Sequence, residues 1–313
     1  MGGNGVRLLR VALLAALLAP SVSSAQTNPQ PASPPQSETV GPTAFLQFQG
    51  NYNRLGVVMS ADINLGYNVT DHIGADAGLP FLFVRSPFSL VANHDWVWTS
   101  LLGEPYIDVH YTTTRAGAKI TSVLTGTIPA SNALRIFSTG RFGVDWFNHV
   151  EPENPFFKGF KPFLNFGASN GTVNRYYMPR PYSSARPYQT LGFMADFEGG
   201  GTYQILRGYK IGASAYALVP GGPQKVFSRL ITPGSSVVGD SNHGRFFNSA
   251  FQTVGRPDLD RDNGFSGWVE LGNAPNVNVQ IGFTRSVHYA YDSVTLVVNL
   301  DATSLIRTVT GRK

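Results

Sequence analysis

The sequence predicts an all-β protein: a transmembrane, antiparallel up-and-down β-barrel of about twelve strands. Three observations carry this reading. Apolar and polar residues alternate over long segments, the connections between those segments sort into short and long, and the chain opens with an export signal. Alternation with a period of two means strands with one apolar and one polar face. In NVNVQIGF, from Asn276, the residues Val277, Val279, Ile281 and Phe283 share one side. In a soluble sandwich that side looks inward. In a membrane barrel it looks outward, at lipid.

The export signal comes first along the chain. Arg7 and Arg10 precede the apolar run Val11–Ala19, Pro20 breaks it, and Ser23-Ser24-Ala25 supplies small residues before a cleavage point. Residues 1–25 therefore read as a secretory signal peptide. The run is too short to span a bilayer as a helix. Residues 26–42, QTNPQPASPPQSETVGP, are rich in Pro, Gln and Ser and read as a flexible leader. Residues 43–303 carry the barrel, and 304–313 form a C-terminal tail.

Candidate strands run near 43–53, 55–68, 72–84, 104–114, 118–128, 139–149, 160–170, 188–204, 207–220, 263–273, 276–288 and 291–303. Most match the roughly 9–11 residues of a tilted transmembrane strand better than the roughly 5–6 usual in globular proteins. Every second connection is short, as in NVTDH, TRAGAK, LRGYK and NAPN, with EPENPFFKG moderate. The long ones, 85–103, 129–138, 171–187 and 221–262, gather at the opposite end. The first and eleventh connections are short exceptions there. Barrels of the bacterial outer membrane sort their loops this way, and soluble sandwiches have no reason to.

Composition supports the reading and narrows the function. The chain has 34 Gly, 21 Phe and 13 Tyr, and only 14% charged residues. It has no cysteine, hence no disulfide framework and no thiolate metal site. The formal charge of +5 includes Arg7 and Arg10 of the signal, so a nucleic-acid partner is not expected. Aromatic residues cluster near strand ends, as membrane interfaces select. Trp146, Phe147, Phe156, Phe157, Phe160, Tyr203 and Tyr209 lie toward the short turns; Trp96, Trp98, Tyr106, Tyr289 and Tyr291 lie toward the other end.

The polar faces carry the candidate site. Asp62, Asp76, Asp108, His110, Asp145, Asp196, Glu198, Lys210 and Glu270 fall opposite the apolar sets and are expected to line a lumen. Acidic rings favour cations, and Lys210, Arg141 and Arg285 are available to pair with some of these groups. Arg175, Arg180 and Arg186, set among tyrosines in RYYMPRPYSSARPY, are candidates for contact with lipopolysaccharide phosphates. Asp258, Asp260 and Asp262 in DLDRDNGFSGWVE resemble a calcium loop, but Gly264 and Glu270 stand one position late for that motif. No cofactor is otherwise expected. The 221–262 segment reads as a gate or a surface flap. No HExxH, GxSxG or P-loop pattern appears, and no nucleophile–base pair can be named, so no enzyme is expected.

The stretch GEPYIDVHYTTTRAGAKITSVLTGTIPAS (103–131), with STGR at 138–141 and DSVTLVVNLD at 292–301, resembles the outer-membrane proteins associated with the meta-pathway of phenol degradation. Gly103-Glu104 stands where that family has Gly-Asp, Thr127-Ile128-Pro129-Ala130 stands at the hairpin end, and Ser138-Thr139-Gly140 is intact. The resemblance implies a barrel that moves small compounds, apolar or aromatic ones among them, across the outer membrane. Many such barrels end on an aromatic residue, whereas this chain continues as TSLIRTVTGRK. The expected function is thus an outer-membrane channel or transporter, with lipid, lipopolysaccharide and a small solute as partners. Two alternatives are a surface or adhesion barrel with a closed lumen and a soluble periplasmic β-protein.

Overall fold

The computed structural model describes residues 40–53, 56–85, 98–129, 142–157, 159–171, 188–222, 224–228, 251–255, 261–274, 276–288 and 290–303. The signal and most of the leader, the C-terminal tail, Arg175, Arg180, Arg186, Asp258 and Asp260 lie outside these residues.

Twelve strands form the barrel: β1 (Gly41–Asn53), β2 (Gly56–Asn68), β3 (Ile73–Arg85), β5 (Tyr106–Arg115), β6 (Ala118–Thr127), β7 (Gly143–Pro152), β8 (Phe160–Gly171), β9 (Tyr188–Leu206), β10 (Tyr209–Pro220), β13 (Asp262–Ala274), β14 (Val277–Ser286) and β15 (Tyr291–Asp301). Each pairs antiparallel with its neighbours in chain order, and β15 returns to β1 through Phe45↔Asp301 to Asn53↔Ser293. Closure leaves no free edge in the ring, the condition for β-structure inside a bilayer. The match to the expected strands is close. β1 takes in Gly41 and Pro42 from the expected leader, and β7 runs later than expected because its far end pairs as Ala118↔Pro152.

Three short strands were not expected. β4 (Trp98–Leu102) pairs with the upper half of β3, while β11 (Gln224–Ser228) pairs with β9 and with β12 (Phe251–Gly255). They arise in the segments read as loops 85–103 and 221–262. Pro80 marks the point where β3 changes partner, from β5 below Leu79 to β4 above Pro80. Proline has no N–H to offer, so a ladder can break there at little cost. Its carbonyl still accepts from Gly103 N at 2.7 Å. β9 spans 19 residues, about 60 Å at the strand rise and twice a typical hydrocarbon core. Its first residues therefore stand clear of the membrane and carry β11. The described ends of the 221–262 segment extend the wall.

The faces are inverted relative to a soluble protein. Along β2, Asn64 is 0% exposed while Ile63 and Leu65 are 47% and 56% exposed. Along β15, Thr295 is 0% exposed and Leu296 is 47% exposed. Val109, Leu124, Phe197, Ile211, Val269, Ile281 and Phe283 continue the apolar exterior around the barrel. An apolar surface of that extent needs lipid rather than water. The soluble periplasmic alternative conflicts with it.

Exposed aromatics gather at both ends. Tyr67, Tyr111, Phe156, Phe157, Tyr203 and Tyr209 stand toward the short turns; Tyr52, Phe83, Phe142, Phe193, Phe265 and Phe283 stand toward the long connections. Phe147 and Tyr106 do not belong to these belts. Both are buried and face inward. Trp96 and Tyr289 lie outside the described residues.

The turn ends are tight. Ala116 and Gly117 alone link β5 to β6, with φ of 53° and 78°. Positive φ at both positions is the type I′ hairpin, whose twist suits the flanking strands. Alanine is strained there, since left-handed backbone costs an L-residue about 1–2 kcal/mol. Ala116→Gly is expected to stabilise the barrel by up to about 1 kcal/mol after the added freedom of the unfolded glycine is offset. Denaturant unfolding of the lipid-folded protein checks this, and a loss of stability would refute it.

Candidate functional site: the barrel interior

The interior is polar, acidic and closely bonded, and it divides into three sectors. The first lies on β1, β2, β3 and β5. Asp62, Asp76, Asp108 and His110 all face inward here and are buried. Tyr106 Oη donates to Asp62 Oδ2 at 2.8 Å, and Asn64 Nδ2 donates to the same Oη at 3.4 Å. Thr43 Oγ1 donates to Asp76 Oδ1 at 3.1 Å.

The second sector spans β7, β8 and β9. Asp145, Asn165, Asp196 and Glu198 are each at most 1% exposed. Asn165 Nδ2 donates to Glu198 Oε2 at 2.6 Å, and its Oδ1 lies 2.6 Å from His149 Nδ1. The third lies on β10, β13 and β14. Lys210 Nζ and Asn278 Nδ2 both donate to Glu270 Oε1, at 2.8 and 2.9 Å. Lys210 is the partly exposed member of its pair, at 44% against 10% for Glu270. Hydrogen bonds between β1 and β15 complete the lining: Gln47 Nε2 to Asn299 Oδ1 at 2.8 Å and Asn51 Nδ2 to Thr295 Oγ1 at 2.9 Å.

Asp62, Asp76, Asp108, His110, Asp145, Asp196, Glu198 and Glu270 are buried on the polar faces and Lys210 is partly exposed, and together they do not form one ring. The other expected ion pairs fall elsewhere. Arg285 bonds Asp292 at 2.8 Å near the rim, with both side chains partly exposed, and Arg141 lies outside the described residues. Asp262, from the expected calcium loop, opens β13 and is 0% exposed. It accepts from Ser286 Oγ and from Asn263 N, both at 2.7 Å, so its Oδ1 serves the wall. Glu104 joins the buried acids and was not singled out from sequence.

A second pattern emerges only from register. Inward aromatics stand directly opposite glycines on the next strand: Tyr106↔Gly78, Phe163↔Gly200, Trp268↔Gly212 and Tyr216↔Gly264. In each case a Cβ on the glycine would collide with the aromatic side chain. The rings therefore lie flat over the wall. Phe163 and Trp268 come from β8 and β13 and meet above β9 and β10, ring centroids 6.1 Å apart. Flattened rings and cross-strand bonding let a twelve-stranded wall bury its own lining. Asn64, Asp108, Asn165, Gln280 and Thr295 are all fully buried.

The inverted faces and the closed ring define the class: the chain is a twelve-stranded transmembrane β-barrel. No family model matches the chain, and no curated protein matches its sequence. Among solved structures it is similar to an outer membrane channel from Pseudomonas putida F1, with 12% identity, a TM-score of 0.48, and coverage of 91% of this chain and 99% of that one. It is also similar to the KdgM porin in complex with disordered oligogalacturonate, at 6% identity and TM-score 0.44, covering 82% and 98%. The toluene transporter TodX of Pseudomonas putida shows 8% identity and a TM-score of 0.40, covering 89% and 95%.

Proposed function

We propose that this protein is a channel of the bacterial outer membrane that passes small solutes through the barrel interior, cations in preference to anions. One observation carries the reading. Inside an apolar exterior, the described wall buries nine acids, Asp62, Asp76, Glu104, Asp108, Asp145, Asp196, Glu198, Asp262 and Glu270, whereas Lys119, Lys161 and Lys210 on the same faces are fewer and only partly buried. A low-dielectric shell around fixed negative charge concentrates cations and repels anions. The signal peptide read from residues 1–25 supports export, and lipid and lipopolysaccharide follow as partners from the placement in that membrane. Apolar or aromatic compounds as cargo rest on the resemblance of residues 103–131 and 292–301 alone.

The burial of the lining favours a second reading, a closed barrel that presents its long connections at the cell surface. Planar-bilayer recording separates the two. The channel reading expects discrete conductance steps and a cation-selective reversal potential in a salt gradient. Glu270→Gln should then shift that potential toward zero. A silent bilayer, with insertion verified by heat-modifiable gel migration, would sink the channel and favour the closed surface protein.

A further inference from the structure

The register of β3 against β5 sets two aspartates face to face inside the wall. Asp76 pairs with Asp108, and Gly74 pairs with His110. The three side chains are 4%, 0% and 7% exposed. One oxygen from each carboxylate and one ring nitrogen of His110 lie within 4.8 Å of one another. We propose that Asp76, Asp108 and His110 bind a single divalent transition-metal ion of the zinc class. The inference does not depend on whether the barrel conducts.

Asp108 supplies the independent observation. Neither of its oxygens has a hydrogen-bond partner, although the residue is fully buried. Among the described residues no lysine or arginine is ion-paired with Asp62, Asp76 or Asp108. Buried carboxylates are found paired or on metals, because an isolated one is costly. A divalent cation between Asp76 and Asp108 would neutralise both.

The histidine is oriented for the same task. Its Nε2 lies 3.2 Å from Asn68 Oδ1. An amide oxygen only accepts, so Nε2 is the nitrogen that donates, and Nδ1 is the ring atom left facing the carboxylates, where a bound ion would take its lone pair. Nδ1 stands 2.9 Å from Asp76 Oδ2, yet the alignment is not that of a hydrogen bond. Two ligands about 2.1 Å from one tetrahedral ion are about 3.4 Å apart, so Nδ1 and Oδ2 need part by only about half an ångström to share one. Thr43 on Asp76 and Asn68 on His110 supply the outer bonds that orient metal ligands.

Glycines clear the space. Gly66 stands opposite Asp76, and Gly74 opposite His110. A Cβ on Gly66 would strike the Asp76 carboxylate, and one on Gly74 would strike the His110 ring. One imidazole nitrogen with two carboxylates suits zinc or manganese, whereas calcium and magnesium prefer oxygen alone.

The test uses untagged protein purified from host membranes in detergent and stripped with a chelator. Zinc binding is read by competition with a chromophoric chelator, and bound metal by elemental analysis. The expected result is one zinc per chain, with affinity at least about tenfold weaker in Asp108→Asn and in His110→Gln. Heat-modifiable migration confirms that each variant is folded, and Asp108→Asn keeps the test open if the histidine variant is not. Unchanged zinc affinity in the folded variants would overturn the site, since the zinc would then sit on other histidines. Equal competition by calcium or magnesium would overturn the assignment to a transition ion.

Discussion

Leu296→Arg should reduce the folding free energy of the lipid-embedded barrel by about 2–4 kcal/mol. Leu296 stands midway along β15, faces outward at 47% exposure, and pairs with Gly50 on one side and Ile281 on the other. If that face meets hydrocarbon, an arginine there must keep its charge in the bilayer core or bend toward the headgroups. If the face met water, an exposed Leu→Arg change would stay within about 0.5 kcal/mol. The two environments thus predict effects that differ several-fold for one substitution. Equilibrium unfolding from vesicles in guanidinium measures it. A change below about 0.5 kcal/mol would remove the membrane reading, and the channel with it. Thr295, one residue earlier, is fully buried on the inner face, so the alternation can be tested within two positions.

The alternation is also why so much of the barrel was legible. Strand existence, strand length and the side each residue takes are local properties, and parity settles them one strand at a time. Asp62, Asp76, Asp108 and Glu270 were placed on inner faces without any tertiary information. The misplaced aromatics show the rule working in reverse. Tyr106 shares parity with Asp108 and His110, and Phe147 shares parity with Asp145. Nearness to a strand end suggested interface belts, but parity put both rings inside. Register is different. The segment between β3 and β5 does not fix how far one strand slides past the other, so the juxtaposition of Asp76 with Asp108 could not be derived. Nor could the seating of each inward aromatic on a glycine. β4, β11 and β12 were missed for another reason: each is only five residues long, too short for period two to stand out.

The pairing of Trp268 with Gly212 gives the second large effect. Trp268 is 6% exposed, lies across Gly212 on β10, and meets Phe163 from β8. Trp268→Ala removes that contact and should destabilise the barrel by about 3–5 kcal/mol, the usual range for a buried large aromatic. Gly212→Ala should also destabilise, by about 1–3 kcal/mol, because the new methyl occupies the space of the indole ring and forces overpacking. The combination decides whether the glycine exists for the ring. In the Trp268→Ala background the indole is gone, and Gly212→Ala should become neutral or stabilising, since alanine fits a strand better than glycine. The cycle should therefore show a coupling of about 1–3 kcal/mol between positions on adjacent strands. Strict additivity would mean that Gly212 answers to some other constraint and that the flattened ring is incidental. A strong coupling would make glycine the device by which a narrow barrel carries large aromatics on its inner wall, and single-channel recording of Trp268→Ala would then show an enlarged unit conductance if that ring narrows the path.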